Sequence, residues 1–200
     1  MAVGTTTLVL DEEAHEYRLN GAVLPGVTNV LKHHSLIPNF PSGPYKTRGK
    51  AIHTATQKWD EGYDVKPGAK IAGYLESYKK VLMEYRFEWL EIEDRRWHPT
   101  LLYAGTIDRY GQLIGPEGIP VGNKCIADIK SGETGDETDL QTAAYAMLID
   151  PVHFRSLDRY KIRLYEDGSA GKVTRYTNPF AFEAWVGYLN TYKWEQKGKK

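Results

Sequence analysis

The sequence predicts a three-layer α/β or α+β fold with a mixed central sheet flanked by helices. An apolar fraction of 41% in 200 residues is enough to bury the core of one domain. From residue 69 onward, the hydrophobic patterns follow the order helix, strand, strand, strand, helix, strand. An aromatic fraction of 12% and balanced charges exclude an intrinsically disordered chain.

A hairpin and three helices come first in the predicted order. Asn20-Gly21 between two strand-like segments is a strong signal for a two-residue hairpin turn. Apolar residues then recur at spacings of three and four, which indicates amphipathic helices. The predicted elements are strands at 7–10, 15–19 and 22–24, a short helix capped by Thr28, a proline-rich loop at 35–44, and helices at 48–61 and 69–85.

Alternating apolar residues predict the sheet in the second half of the chain. Ile126, Asp128 and Lys130 fall on one face of a strand, and the apolar residues between them fall on the other. The predicted elements are strands at 87–97, 102–113, 124–130, 158–165 and 172–177, loops at 115–122 and 131–139, a helix from Thr138 or Asp139 through 149, and a helix at 179–194. We divide the single domain into a hairpin and loop (1–47), a core (48–165), and a final strand and helix (166–200).

The formal net charge is zero, but the charges are unevenly distributed. Residues 151–200 hold 10 Lys and Arg against 5 Asp and Glu, a net of +5, whereas residues 1–150 carry a net of −5. This balance argues against a chain that coats nucleic acid by bulk positive charge, and it leaves room for a local basic groove.

The single cysteine, Cys125, excludes a disulfide framework, a four-cysteine zinc site and a cysteine-ligated iron–sulfur cluster within one chain. A reducing compartment fits such sparse use of cysteine. No apolar run approaches the 18 residues of a membrane helix, and the first residues lack the regions of a signal peptide. We therefore expect a cytoplasmic protein that does not contact a membrane.

Two predicted strands carry the residues best suited to metal chemistry. Asp128 and Lys130 point the same way, so a carboxylate able to hold a divalent cation stands beside an ammonium able to orient water. On the preceding strand, Gly105 permits close approach of a ligand and Asp108 adds a second carboxylate. A structural ion pair and ordinary strand-end charges are the alternatives, and a second Asp-x-Lys, residues 64–66, lies in a predicted turn.

Four further residues are weaker candidates. Gln141 and Tyr145 share a helix face and could touch phosphate or hold Lys130, although they could also be the polar edge of a core helix. Glu93 shares a strand face with Glu91, where either could simply be solvated. His53 lies in the middle of a helix, where a packed side chain is the alternative to a metal ligand.

The order of these residues resembles a known family. His53, Glu93, Gly105-x-x-Asp108, Asp128-x-Lys130 and Gln141-x-x-x-Tyr145 follow one another as in the PD-(D/E)XK nuclease superfamily. The likeness is greatest to its RecB-like branch, which includes phage recombination exonucleases similar to lambda exonuclease. The matching segments are 48–53, 103–108, 127–132 and 140–145. The resemblance covers roughly residues 48–165 and implies a restriction-endonuclease-like core; the hairpin at 15–25 also resembles segments that open some phage members.

The resemblance implies a site for one or two Mg²⁺ or Mn²⁺ ions. Some RecB-like relatives also carry a four-cysteine iron–sulfur cluster, and we expect none here because Cys125 is the single cysteine. Asp108 and Asp128 would ligate the metal together with the carbonyl oxygen of Ile129. His53 would complete or flank this set of ligands.

The remaining motif residues would assist the attack of water on a DNA phosphodiester. Lys130 would position or activate the water and stabilise the developing charge. Glu93 would act through a second metal or its waters. Gln141 and Tyr145 would orient the lysine and the scissile strand.

Basic residues near the motifs are candidates for phosphate contacts. A solvated surface is the alternative for at least half of them. The candidates are Arg48 and Lys50 before His53, Arg95 and Arg96 after Glu93, and Arg159, Lys161 and Arg163 on one face of a strand.

Three functions that involve nucleic acid are therefore open, ahead of a remote fourth, a scaffold that binds no nucleic acid. The first is a metal-dependent DNA exonuclease of phage-type recombination or DNA end processing, in the cytoplasm of a bacterium or a phage-infected host. A single-strand annealing protein or another recombination protein is then an expected partner, as is a second copy of the chain. The second is a single-strand or structure-specific endonuclease of the same fold. The third is a catalytically silent nucleic-acid-binding module.

Overall fold

The computed structural model describes residues 7–12, 14, 16–37 and 43–197. The predicted loop at 35–44 and the start of the strand predicted at 15–19 lie partly outside the described residues. The strands are β1 (Leu8–Asp11), β2 (Glu16–Leu19), β3 (Ala22–Leu24), β4 (Phe87–Trp97), β5 (Ala104–Ile114), β6 (Pro120–Lys130), β7 (Asp158–Arg163) and β8 (Lys172–Tyr176). The α-helices are α1 (Val27–His33), α2 (Pro44–Asp60), α3 (Ala69–Tyr85), α4 (Glu137–Ile149) and α5 (Ala181–Lys197).

Five strands form the central sheet in the order β4-β5-β6-β7-β8. β6 and β7 are parallel, and every other neighbouring pair is antiparallel. α4 lies between β6 and β7 in the chain, because a parallel pair needs a crossover connection. The sheet is therefore mixed, as the sequence predicts.

Helices cover both faces of this sheet. On one face, α2 and α3 pack on buried side chains that include Ile129 and Ile162. On the other face, α1, α4 and α5 bury Ile107 and Ile126 around the fully buried Trp185. All residues of α4 from 141 to 148 are buried, as expected for a helix enclosed by neighbours. The predicted fold class is confirmed, including the hairpin sheet before the core.

The first three strands form a separate antiparallel sheet, β1-β2-β3. Asn20 and Gly21 both have positive φ, +50° and +87°, which is the backbone that a tight two-residue hairpin turn requires. Tyr17 and Leu24 pack on Ala104 at the start of β5. This contact places the hairpin beside the end of the central sheet.

Several predicted boundaries shift in the structure. β6 begins at Pro120, so its first residues occupy the loop predicted at 115–122; proline is tolerated there because it is the first residue of the strand. α2 begins at Pro44, where the fixed φ of proline favours the first helical turn. The N-cap of α1 is Gly26, not the predicted Thr28. α5 begins two residues after Pro179.

Candidate metal centre and its cleft

Three carboxylates occupy neighbouring positions on β4, β5 and β6. Glu93 lies opposite Asp108, because the residue pairs on either side of them are in register. The ladder between β5 and β6 includes the pair Arg109 and Ala127, and the next positions along the two strands are Asp108 and Asp128. The pairing of these strands thus aligns three acidic residues that are far apart in the sequence.

His53 joins two of these carboxylates from α2. Its Nδ1 lies 3.2 Å from Glu93 Oε1 and 3.6 Å from Asp108 Oδ2. One ligand atom from each of the three residues lies within 4.8 Å of the others, a spacing that a single metal ion can span. The helix predicted to carry His53 therefore brings its imidazole to the acidic residues.

Glu93 departs from the regular strand geometry predicted for it. Its φ of +50° interrupts the alternation of β4. Glu91 consequently binds Arg96 (2.5 Å), whereas Glu93 contacts His53 and Arg109. The prediction that Glu91 and Glu93 share a face is wrong for this reason.

Asp108 is held in place by the backbone of the next strand. Its Oδ2 accepts a hydrogen bond from the Ile129 N–H at 2.7 Å. Since the N–H and C=O of one residue in a strand point to the same side, the Ile129 carbonyl also faces the β5 side of β6. The Ile129 carbonyl oxygen therefore points in a direction that is compatible with its predicted role as a metal ligand.

Asp128 is 1% exposed and is poorly satisfied. Lys130 Nζ lies 2.7 Å from its Oδ2, yet neither carboxylate oxygen accepts a well-directed hydrogen bond from the part of the chain that the structure describes. Burial raises the pKa of Asp128 to about 6, with the Lys130 charge opposing the rise and Asp108 adding to it. A buried carboxylate whose oxygens lack well-directed hydrogen bonds is suited to bind a cation.

Lys130 is the start of a short hydrogen-bond chain into α4. Its Nζ donates to Gln141 Oε1 at 3.0 Å, and Gln141 Nε2 donates to Tyr145 Oη at 2.9 Å. Burial opposes the charge of Lys130, but Asp128 and Asp108 raise the pKa of this ammonium overall. The spacing of four residues on α4 thus places Tyr145 beside Gln141, and Gln141 in turn contacts the lysine.

Gly105 makes room for a helix. A Cβ at this position would lie 2.8 Å from Tyr145 Cε1 and 3.2 Å from Leu148 Cδ1. The absence of a side chain lets α4 pack closely on β5, which sets the position of Tyr145. Gly105 also borders the open space over the site, where the close approach of a ligand stays a prediction.

Arg109 is a site neighbour that the sequence interpretation missed. It is fully buried, and its Nη1 donates to the Asp108 carbonyl (2.6 Å) and lies 3.3 Å from Glu93 Oε1. Its Nε donates to Asp60 Oδ2 at 2.6 Å, and Asp60 also accepts from the Tyr78 hydroxyl at 2.7 Å. The sequence does offer one signal for this role. Arg109 is a charged residue among the apolar residues of a predicted strand, and it directly follows the candidate ligand Asp108.

The charge of His53 follows from these neighbours. Burial favours the neutral imidazole, but the carboxylates of Asp108 and Glu93 outweigh this effect and raise the pKa of His53 to about 9. The imidazolium and the Lys130 ammonium offset the negative charge of the three carboxylates. A divalent cation would supply that compensation instead.

A cleft of about 660 Å³ opens over this group. Its walls come from the hairpin, α1, α2, the central strands and α4, and all six catalytic candidates line it. These residues are Glu93, Asp108, Asp128, Lys130, Gln141 and Tyr145. Carboxylate and imidazole donors grouped in this way could hold a metal ion.

The predicted phosphate-binding residues are distributed differently. Lys50 lines the cleft, whereas the Arg48 guanidinium lies 5.7 Å from the ring centre of Tyr74, outside it. Arg159 is 3% exposed and binds Asp139 at 2.5 Å, so its guanidinium supports the fold.

Lys161 and Arg163 share the strand of Arg159, and neither lines the cleft. The Lys161 ammonium lies 5.8 Å from the ring centre of Tyr176, and Arg163 pairs with Glu133. Arg95, which follows Glu93, does line it. The structure thus brings two of the basic candidates, Lys50 and Arg95, to the cleft.

Among the described residues, no helix combines the length and the apolar character needed to cross a bilayer.

Comparisons with known proteins give the chain no family. No protein-family model matches it, and no curated protein matches it. Among solved structures, it is similar to Putative exonuclease from Eubacterium rectale. The two share 8% sequence identity with a TM-score of 0.48, over 82% of this chain and 69% of the other.

Proposed function

We propose that this chain is a divalent-metal-dependent DNA nuclease of the PD-(D/E)XK type that hydrolyses phosphodiester bonds. The observation that carries the proposal is the grouping of Glu93, Asp108, Asp128 and His53 beside Lys130, which the sequence motifs anticipate. The buried Asp128 carboxylate, with no well-directed hydrogen bond from the described residues, supports a cation as its missing partner.

Asp108, Asp128 and the Ile129 carbonyl would hold the cation, with His53 at its edge. When bound, Mg²⁺ or Mn²⁺ supplies Lewis-acid polarisation of the phosphate and lowers the pKa of water. Glu93 has one oxygen near both His53 and Arg109, and its second oxygen can accept a hydrogen bond from a water. The protein's own part is to hold these donors rigidly around the scissile phosphate.

Lys130 would orient the attacking water and stabilise the charge that develops on the phosphate oxygens. The hydrogen bond from its Nζ to Gln141 limits the directions in which the ammonium can point. Tyr145 accepts from Gln141 and so fixes the amide in turn. Gln141 and Tyr145 are therefore positioning residues in this proposal.

The preferred mode is exonucleolytic, in phage-type recombination or DNA end processing. The recombination partner and self-association stay predictions that rest on the resemblance, and a cytoplasmic location stays a prediction from the sequence. Endonuclease activity and silent binding are the competing outcomes of one assay. Linear duplex, single-stranded and circular DNA are incubated with Mg²⁺, Mn²⁺ or EDTA; cleavage confined to linear DNA supports the exonuclease, and nicked circles support the endonuclease.

Variants test the site itself. Asp108→Asn, Asp128→Asn and Lys130→Met should each reduce cleavage by about 100-fold or more while the far-ultraviolet circular dichroism stays unchanged. The chain offers a matched control, because Asp64 and Lys66 form a second Asp-x-Lys whose side chains are 80% and 85% exposed. Asp64→Asn and Lys66→Met should leave cleavage intact. Full activity in Lys130→Met would contradict the proposed site.

A further inference from the structure

A carboxylate from the hairpin lies between two cations of the cleft. Glu12 follows β1, and its Oε2 lies 2.8 Å from Lys50 Nζ while its Oε1 lies 3.4 Å from Arg95 Nη2. All three residues line the cleft that holds the candidate metal ligands. Two cations from different elements therefore converge on the two oxygens of one anion.

Lys50 and Arg95 are placed by the elements that carry the site. Lys50 lies one helical turn before His53 on α2, and Arg95 lies two residues after Glu93 on β4. Among the described residues, Glu12 is the one carboxylate within ion-pair distance of either cation. The position of this pair of cations is thus fixed relative to the metal ligands.

The three side chains remain accessible to a ligand. The exposed fractions are 59% for Glu12, 75% for Lys50 and 45% for Arg95. The Lys50 ammonium, followed by the Arg95 guanidinium, holds the pKa of Glu12 below its usual value. An exposed ion pair of this kind contributes little to stability, so another anion can replace the carboxylate at small cost.

A phosphodiester matches what Glu12 presents to these cations. It offers two oxygens that share one negative charge, and lysine and arginine are its usual partners in nucleic-acid complexes. The proposed site also needs cations nearby, because the negative charges of Glu93, Asp108 and Asp128 repel an approaching DNA backbone. Cations at the mouth of the cleft would offset this repulsion.

We infer that Lys50 and Arg95 form a binding site for a backbone phosphate next to the scissile one, and that Glu12 occupies this site in the free protein. The inference rests on the proposed nuclease function. Substrate must displace the Glu12 side chain before its backbone reaches the metal ligands. The hairpin residue thus acts as an internal competitor that weakens DNA binding.

The test measures DNA affinity without cleavage. All variants carry Lys130→Met, and the probe is a short fluorescein-labelled oligonucleotide without terminal phosphates, so that only backbone phosphates can bind. Fluorescence anisotropy in Mg²⁺ buffer of low ionic strength gives Kd. The matched control for Glu12→Gln is Glu16→Gln, since Glu16 also lies in the hairpin and pairs with Arg18 at 2.7 Å outside the cleft.

Glu12→Gln should lower Kd by about two- to fivefold, as expected for the loss of an exposed competing ion pair, and Glu16→Gln should not. The increase in DNA affinity caused by Glu12→Gln should vanish when Lys50→Ala and Arg95→Ala are also present. Together, those two changes should reduce the salt dependence of binding by about one phosphate contact.

Equal gains from Glu12→Gln and Glu16→Gln would show a general charge effect and overturn the inference. A gain that persists without Lys50 and Arg95 would also overturn it. Either result leaves the proposed function intact if the unmodified chain cleaves DNA. If that chain neither binds nor cleaves DNA, the proposed function falls, and this inference falls with it.

Discussion

Arg109 and Asp60 form a buried ion pair behind the candidate metal centre, and Arg109→Met removes one partner. The Arg109 side chain is 0% exposed and the Asp60 side chain is 3% exposed. After the change, Asp60 keeps the Tyr78 hydroxyl at 2.7 Å but loses its counter-charge. Breaking a buried pair in this way costs about 3–5 kcal/mol, so we expect a loss of that size in the free energy of unfolding.

The double variant Arg109→Met/Asp60→Asn separates the charge from the packing. Asparagine still accepts a hydrogen bond from Tyr78, and no uncompensated carboxylate remains. We expect the second change to recover about 1–3 kcal/mol of the loss. Urea denaturation measures both values from the midpoint, provided that the slope stays constant. A loss below about 1 kcal/mol in Arg109→Met, or simple additivity of the two changes, would refute this reasoning.

The same variant has a predictable pH dependence. Burial raises the pKa of Asp60, and the Arg109 charge and the Tyr78 hydrogen bond oppose the rise. Without the guanidinium, the folded-state pKa rises further above the unfolded one. The folded protein then binds more protons than the unfolded chain between these two values, so its stability increases as the pH falls. The deficit of Arg109→Met should therefore be smaller at pH 5 than at pH 7.

Three further predictions concern other parts of the molecule. Gly105→Ala should lower the free energy of unfolding by about 1–3 kcal/mol and reduce cleavage, because the added methyl displaces Tyr145; unchanged urea denaturation would contradict this packing. Burial lowers the pKa of His98, so the contribution of this residue to stability should fall as the pH drops below about 6.5, where the unfolded chain takes up a proton first. His98→Asn, which keeps an acceptor for the following turn, should flatten the dependence of Tm on pH, whereas the exposed-site control His153→Asn should not. Mg²⁺ at about 100 times its Kd should raise Tm by roughly 5–10 °C, and Asp128→Asn should remove most of this shift.

Local patterns predicted the parts of the site that depend on one element. Alternation along β6 puts Asp128 beside Lys130, and a spacing of four on α4 puts Gln141 beside Tyr145. The order of strands and helices also followed from periodicity, so the fold class could be predicted. These relations need no knowledge of what packs on the element.

The remaining features depend on tertiary contacts. Alternation correctly grouped Arg159 with Lys161, but Arg159 is buried by tertiary contacts with Asp139 of α4, with Asn178 and with Phe182 of α5. The positive φ of Glu93 has no sequence signal, since it is not a glycine, and it redirects the carboxylate toward α2. Arg109 carries no motif of its own. Its role depends on a tertiary contact with Asp60, which lies on α2, far from Arg109 in the sequence.

The row of carboxylates across β4, β5 and β6 also bears on the stability of the fold. Like charges on opposing strand positions destabilise a sheet, and Glu93, Asp108 and Asp128 stand in such a row. Replacing any one of them by a neutral residue would relieve repulsion within the sheet and would at the same time remove a candidate ligand. The side chains best suited to hold a cation are therefore a cost to the sheet that carries them.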